Sequence, residues 1–113
     1  LTVDGYWGPS TTRRLQEVLK TSVDGQVSSQ AVSWKAKNPG LTGGWEWVPD
    51  NQASGSLVIT ALQQRLGIDA GGLIGAGTIL ALEKYCGTPQ DGYFGEASAC
   101  IKELQKKLNS GVL

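Results

Sequence analysis

The sequence predicts a mostly α fold of two small three-helix-type modules in tandem, joined by an irregular segment that contains tryptophans. Two observations predict it: a short motif recurs four times along the 113 residues, and apolar residues recur at helical spacing near the copies. A stretch rich in Gly and Pro separates the second copy from the third. We therefore predict a partial first module over residues 1–37, a connecting segment over residues 38–55 and a second module over residues 56–113.

The recurring motif is clearest as DGYWGPST from Asp4 and DGYFGEAS from Asp91, with weaker copies DGQVSSQA from Asp24 and GGLIGAGT from Gly71. The first two copies start 20 residues apart, the last two also start 20 residues apart, and one offset of 67 residues maps the first pair onto the second. This regularity indicates a duplicated unit. Within the unit, Asp and Gly favour a tight turn, and the aromatic side chain that follows folds onto the core.

The spacing of apolar residues predicts four helices, over residues 9–20, 56–66, 76–86 and 96–108. Gly67 is placed to cap the second of these helices at its C-terminal end. A poorer pattern predicts a further short helix over roughly residues 29–37. The first half has no counterpart of the helix over residues 56–66, so the first module is either truncated or completed by packing against the second.

The connecting segment contains Trp45 and Trp47 although it is otherwise dense in Gly, Pro, Asn and Ser. A plain linker rarely carries two tryptophans, so we expect this segment to pack on a module or to line a site. A short extended stretch is predicted over residues 44–48.

Composition excludes several classes of function. The ten basic and ten acidic residues balance without a run of either sign, which argues against nucleic-acid binding. No apolar run approaches the roughly 20 residues needed to cross a bilayer, so we expect a soluble chain without a membrane partner. There is no histidine, and Cys86 and Cys100 are too few for a structural zinc site, so neither a metal nor a cofactor is predicted. Because the chain begins with Leu1 rather than Met, we expect it to be a piece of a longer protein.

These motifs resemble the peptidoglycan-binding-domain family, a three-helix cell-wall module with the signature V-x-x-L-Q-x-x-L, D-G-x-F-G-x-x-T and a second D-G-x-F-G. The residues that match, in the order of the signature, are Val58, Leu62, Gln63 and Leu66, then Gly72, Ile74, Gly75 and Thr78, then Asp91, Gly92, Phe94 and Gly95. In the first half the second element is matched by Asp4, Gly5, Trp7, Gly8 and Thr11. The chain departs from the pattern by one extra residue after Val58, by Gly71 in place of aspartate and by Ser28 in place of a glycine, so no ligand site is predicted at the two weaker copies.

The tandem arrangement of such peptidoglycan-binding modules is similar to the C-terminal cell-wall-binding regions of bacteriophage endolysins of Gram-positive hosts. The resemblance implies a non-catalytic, carbohydrate-binding domain that anchors a lytic enzyme to peptidoglycan or an attached wall polymer. Its partners would be that glycan and the catalytic domain of its own protein. The protein would be made in the cytoplasm of the infected host and would act at the bacterial cell wall during host lysis.

Two alternatives to a cell-wall-binding domain stay open. One is a structural spacer or a docking module for the catalytic domain. The other is a peptidase-propeptide-type module, suggested by the run CGTP at Cys86, although Tyr85 stands where such propeptides carry arginine. Free buried thiols are expected at Cys86 and Cys100, with a disulfide as the alternative. No pair of carboxylates has a context that distinguishes it as catalytic, so no catalytic residue is predicted.

Sugar-binding sites place the face of an aromatic ring beside polar side chains such as Asp, Asn and Gln. Alternation predicts that one ring of each aromatic pair points inward, and the resemblance to the family implies that these are Trp7 and Phe94, which leaves Tyr6 and Tyr93 as exposed rings. The predicted ligand-binding residues are Asp4, Tyr6, Trp34, Trp45, Trp47, Asp91 and Tyr93. Each set of residues also has a structural alternative. The aspartates could serve only the turns, and the tyrosines could be ordinary surface residues. The tryptophans could seal the contact between the modules, or they could form a choline-type cage, although the sequence lacks the repetition of choline-binding proteins.

Overall fold

The computed structural model describes residues 1–113 and contains four α-helices and a two-stranded parallel sheet. The elements in chain order are α1 (Pro9–Leu19), β1 (Val27–Ala31), β2 (Trp45–Val48), α2 (Leu57–Leu66), α3 (Ala76–Cys86) and α4 (Ala99–Asn109). A single 3₁₀ turn follows each strand, at Val32–Trp34 and at Asp50–Gln52. No helix is both long enough and apolar enough to cross a bilayer.

The four helices predicted from apolar spacing are confirmed, and local capping sets their ends. Pro9 occupies the first turn of α1, where its missing N–H costs nothing. Gly67 ends α2 with a φ of 74°, as expected for a left-handed C-terminal cap. α4 begins at Ala99 rather than residue 96, because the side chain of Ser98 accepts a hydrogen bond from the N–H of Ile101 and caps the helix there.

The predicted fold class is wrong: the chain is a compact mixture of α-helices and a small sheet, not a mostly α tandem of three-helix modules. The helix expected over residues 29–37 is absent. Its first residues belong to β1, which runs parallel to β2 and pairs Val27 with Trp45 and Gln30 with Trp47. Pairing with a distant strand therefore overrides the weak helical pattern, as it does where packing rather than intrinsic propensity decides. The extended stretch predicted over residues 44–48 is confirmed as β2.

One hydrophobic core joins the two halves of the chain. Trp7 and Phe94 are fully buried, which confirms that these rings point inward, and their centroids lie 6.0 Å apart. Trp45 of the connecting segment meets Trp7 edge-on at 5.2 Å, a favourable arrangement of aromatic rings. The halves therefore do not enclose separate cores, and the boundaries at residues 37 and 55 stay a prediction.

The connecting segment packs between the first and fourth copies of the motif. The N–H of Trp7 donates to the carbonyl of Gly40 at 2.7 Å, and the N–H of Thr42 donates to the carbonyl of Trp7 at 3.0 Å. On the other side, the N–H of Gly40 donates to the carbonyl of Phe94 at 2.9 Å. The buried side chain of Asn38 accepts the N–H of Phe94 at 2.8 Å. The expectation that this segment packs on the rest of the chain is confirmed.

Candidate functional site

A side chain from a helix holds the backbone of each of the four turns. At the first turn, Oε1 of Gln105 accepts the N–H groups of Asp4 and Gly5, both at 3.0 Å, and its Nε2 donates to Oδ1 of Asp4 at 3.0 Å. At the second turn, Gln16 makes the same three contacts with Asp24 and Gly25, at distances of 3.0, 2.9 and 2.8 Å. A buried amide thus satisfies both the donors and the acceptor of the turn.

The third and fourth turns are held in a related way. Oε1 of Gln63 accepts the N–H of Gly72 at 2.7 Å. Oε1 of Glu83 accepts the N–H groups of Asp91 and Gly92, at 3.1 and 2.9 Å. Amides therefore hold the first three turns, and a carboxyl group holds the fourth.

α4 completes the unit that begins at the first turn. Besides the contacts of Gln105, the N–H of Ser98 donates to the carbonyl of Gly5 at 3.0 Å. Gly5 has a φ of 82°, and a Cβ at this position would lie 2.5 Å from the carbonyl carbon of Ala97. α4 therefore packs against the first turn, as the second of the two alternatives for the first half predicts.

The turn aspartates are exposed and hold their own turns. Oδ1 of Asp4 accepts the N–H of Tyr6 at 3.0 Å, and Oδ1 of Asp91 accepts the N–H of Tyr93 at 3.0 Å. The N–H of Tyr6, followed by the amide of Gln105, lowers the pKa of Asp4, and the N–H of Tyr93, followed by Glu83, lowers the pKa of Asp91. Both carboxylates are therefore ionised at neutral pH.

Two clefts open at corresponding places, each between a turn and the start of the helix that follows. The Tyr6 cleft has a volume of about 390 Å³ and is lined by Leu1, Thr2, Asp4, Tyr6, Gly8, Pro9, Ser10, Thr11, Thr42 and Gln105. The Tyr93 cleft has a volume of about 210 Å³ and is lined by Glu83, Thr88, Pro89, Asp91, Tyr93, Gly95, Glu96, Ala97, Ser98, Ala99 and Cys100. A smaller cleft of about 80 Å³ lies beside the second turn, and the third turn, where Gly71 replaces aspartate, has none.

Five of the predicted ligand-binding residues lie in or beside the two larger clefts. Asp4 and Tyr6 line one cleft, and Asp91 and Tyr93 line the other. The ring of Tyr93 is 45% exposed. Trp34, half-buried at the end of its 3₁₀ turn, lies against Tyr93 with ring centroids 6.1 Å apart and an interplanar angle of 30°. The Tyr93 cleft therefore has an aromatic pair at its edge.

Trp45 and Trp47 lie away from both clefts. Trp45 is only 7% exposed, and its Nε1 donates to the carbonyl of Trp7 at 3.2 Å. Trp47 is half-buried and stacks on Trp45 with ring centroids 5.6 Å apart. The structural alternative, in which tryptophans seal the contact between the halves, accounts for Trp45.

The two cysteines are free, as expected, but the prediction that both are buried is wrong for Cys86, which lies at the C-terminal end of α3. Cys100 is buried and lines the Tyr93 cleft, whereas Cys86 is partly exposed at the end of α3. Hydrogen bonding between the two thiols lowers the pKa of Cys86 and raises that of Cys100, which burial raises further. No group of three or more Cys, Asp or Glu side chains is arranged to hold a metal ion.

The side chains that hold the turns were not predicted from the sequence. A signal for three of them is present, because Gln16, Gln63 and Glu83 each stand nine residues before the glycine of the turn that they hold. Gln105 has no such signal, since its turn lies at the other end of the chain. Thr42, which lines the Tyr6 cleft from the connecting segment, also has none.

Comparisons with protein-family models, with curated proteins and with solved structures found no match for this chain. The chemistry of the two clefts is therefore what indicates a function.

Proposed function

We propose that this chain is a non-catalytic, carbohydrate-binding domain that holds a bacterial cell-wall glycan in the Tyr6 and Tyr93 clefts. One observation carries the proposal: the same unit forms a cleft at two places, and in each a tyrosine lies beside an ionised aspartate and the start of a helix. The glycan is peptidoglycan or a polymer attached to it, as the resemblance of the motifs implies.

The residues of the Tyr6 cleft suit a sugar ring. Eight of its ten lining residues are not hydrophobic, which suits the hydroxyl and N-acetyl groups of a saccharide better than an apolar ligand. Asp4 and Thr42 are exposed acceptors at its edge, and Tyr6, which is half-buried rather than exposed as predicted, supplies the aromatic ring of the cleft. The cleft therefore contains the two elements that sugar recognition requires, polar groups for the hydroxyls and an aromatic ring for the apolar face of the sugar.

The Tyr93 cleft offers the same elements with a larger aromatic surface. Tyr93 is well exposed, and Trp34 supports its ring from outside the cleft. Nζ of Lys37 lies 5.1 Å from the centroid of the Trp34 ring, which adds a positive charge at this edge. A chain of linked sugars is a suitable ligand because it presents several stacking faces and acidic substituents along one polymer.

Two linked clefts favour a polymeric ligand over a single small sugar. Each contact is weak by itself, but binding at one cleft raises the local concentration of the polymer at the other. The net charge of zero supports recognition by the clefts rather than general attraction to an anionic wall. Within the longer protein, this domain would anchor a phage lytic enzyme at the wall, with its catalytic domain as the second partner.

The arrangement of the carboxyl groups supports a binding role over a catalytic one. Glu83, Asp91 and Glu96 are the acidic residues of the Tyr93 cleft, and the first two are engaged in holding the turn. Glycoside hydrolysis needs two carboxyl groups that face the scissile bond roughly 5–10 Å apart, whereas Glu83 is 3% exposed and its Oε1 is occupied by the N–H groups of Asp91 and Gly92.

Binding to purified cell walls tests the proposal. A fluorescent fusion of residues 1–113 should sediment with walls from some Gram-positive species, and Tyr6→Ala or Tyr93→Ala should each weaken binding on the order of tenfold, as expected for loss of one stacking contact. The double variant should lose binding.

Tyr85→Ala is the matched control, because Tyr85 is 43% exposed but lies outside both clefts. Walls stripped of attached polymers separate peptidoglycan from polymer binding, and a fusion that stays in the supernatant with a broad panel of walls refutes the proposal.

A docking role for the catalytic domain is the second candidate, and one observation favours it. An apolar depression of about 510 Å³ lies between α2 and α3 and is lined by Leu66, Ile68, Ala81, Lys84 and Tyr85. If this face receives the catalytic domain, Tyr85→Ala in the longer protein should separate the two parts in limited proteolysis without affecting wall sedimentation. Unchanged proteolysis would argue against docking at this face.

A further inference from the structure

The fourth turn differs from the first and second turns in one chemical respect. In those two turns an amide holds the backbone N–H groups with its oxygen and the turn aspartate with its nitrogen, at 3.0 Å from Gln105 to Asp4 and 2.8 Å from Gln16 to Asp24. Glu83 uses Oε1 for the two backbone N–H groups, like the amides. Its second oxygen is therefore left for the contact that the amide nitrogen makes elsewhere.

That contact requires a hydrogen that only the neutral acid can supply. An ionised carboxylate accepts hydrogen bonds but has none to donate, so two ionised carboxylates cannot form this bond. Asp91 is already committed as an acceptor for the N–H of Tyr93. By correspondence with Gln105 and Gln16, Glu83 would carry the proton and donate it toward Asp91.

The surroundings of Glu83 favour its neutral form. Glu83 is 3% exposed, and burial, the largest cause, raises its pKa to about 7. The N–H of Gly92 opposes this rise in pKa, and the Asp91 carboxylate adds to it through both a hydrogen bond and its charge. The other titratable groups that line the cleft are Tyr93, Glu96 and Cys100, and no basic side chain lines it.

We propose that Glu83 is a positioning residue of the Tyr93 cleft and works as a neutral acid, so that the fourth turn keeps its shape while Glu83 carries a proton and loosens when Glu83 ionises. Ionisation places two negative carboxylates in contact and removes the hydrogen bond between them. Asp91 then loses a partner that fixes the turn carrying Tyr93. The first turn, at the Tyr6 cleft, should not loosen with rising pH in this way, because the amide that holds it, Gln105, does not titrate.

The direction of the pH effect follows from the raised pKa. A carboxyl group whose pKa is higher in the folded chain than in the unfolded chain stabilises the fold fully below its unfolded pKa, and this contribution is lost as the pH rises through the folded pKa. For Glu83 the window lies between about 4.3, the ordinary value, and about 7. The lowered pKa of Asp91 acts in the opposite sense and below that window. The chain has no histidine to titrate there.

Two measurements on the whole chain test the role of Glu83 without any ligand. The carboxyl resonance of Glu83 should titrate near neutral pH, and the folding constant from urea unfolding should fall on the order of 50-fold between about pH 5 and about pH 8. Glu83→Gln restores the amide used at the other turns, so it should fold and should lose most of this fall. A Glu83 resonance that titrates near the ordinary glutamate value, or an unchanged pH profile in Glu83→Gln, would overturn the proposal.

The matched control removes the carboxyl group from the Tyr93 cleft and introduces one at the corresponding position of the Tyr6 cleft. Gln105→Glu places a carboxyl group beside Asp4 and should add a pH dependence of the same sign to the Glu83→Gln background. If that double variant folds and stays insensitive to pH, a carboxyl at this position does not act through its ionisation, which also counts against the proposal.

The consequence for ligand affinity rests on the proposed function and is measured separately. In a Tyr6→Ala background, soluble oligomers of N-acetylglucosamine and N-acetylmuramic acid should bind the Tyr93 cleft more tightly at about pH 5 than at about pH 8, and Glu83→Gln should remove most of the difference. Absence of oligomer binding at both pH values counts against the glycan proposal only, whereas the resonance and unfolding measurements decide the role of Glu83. Binding that is equal at both pH values overturns the coupling of Glu83 to the cleft.

Discussion

The first and fourth turns have nearly the same backbone contacts but different connections to the rest of the chain. The side chain that holds the fourth turn, Glu83, stands nine residues before its glycine, whereas Gln105 reaches the first turn from 100 residues away. The turn therefore requires a suitably placed acceptor and not a particular chain neighbour. This difference shows how the last helix can complete the first unit, and why the two halves form one fold.

The largest expected effect comes from the two inward rings. Trp7→Ala and Phe94→Ala should each lower the free energy of unfolding by about 3–5 kcal/mol, because both rings are fully buried. Trp7→Ala should cost more, since Nε1 of Trp7 also donates to Oγ1 of Thr12 at 2.8 Å and the ring contacts Trp45. Urea unfolding measures both. A larger loss for Phe94→Ala would mean that the first turn contributes less to the core than the fourth.

Two glycines, Gly5 in the first turn and Gly71 in the third, differ in the space that a side chain would have. Gly5→Ala should lower the free energy of unfolding by about 2–3 kcal/mol, because φ is positive there and the new Cβ would meet the backbone of Ala97. Gly71→Ala is the control: a Cβ at Gly71 meets nothing within 4 Å, so the change should stay within about 0.5 kcal/mol. Thermal melts of the two variants decide whether α4 packs tightly on the first turn, and equal melting temperatures would show that it does not.

The smallest of the three expected effects compares the near and distant amides directly. Gln16→Ala and Gln105→Ala each leave two backbone N–H groups without a partner and remove one of the two donors to the turn aspartate, at a cost of about 1–2 kcal/mol. Because the contacts match, the two losses measured by urea unfolding should agree closely. A Gln105→Ala variant as stable as the parent chain would show that the distant contact contributes nothing.

Local chemistry in the sequence was sufficient to locate the helices and the direction of the turn aromatics. The spacing of apolar residues and the glycine at residue 67 placed α2 and α3 nearly to the residue, and alternation together with the family pattern identified Trp7 and Phe94 as inward rings. These features depend on residues a few positions apart, which is the range over which periodicity and capping act.

The sheet and the completion of the first unit could not be predicted in the same way. β1 exists because Val27 and Gln30 pair with the two tryptophans of β2, and no local pattern records that partner. Asp91 and Tyr93 of the Tyr93 cleft were predicted as ligand-binding residues, but no role was predicted for Glu83. Its spacing from Gly92, repeated in Gln16 and Gln63, was the available sign of a buried role.

The contact between Gln105 and the first turn also bears on how the chain folds during synthesis. Residues 4–8 leave the ribosome before any of the four helices, yet the helix that satisfies their N–H groups is the last of the four to appear. A contact across so much of the chain is paid for in loop-closure entropy before it forms, so it belongs to the late steps of folding. The fold is therefore closed only when α4 arrives, and until then the first turn and the ring of Trp7 lack the helix that encloses them.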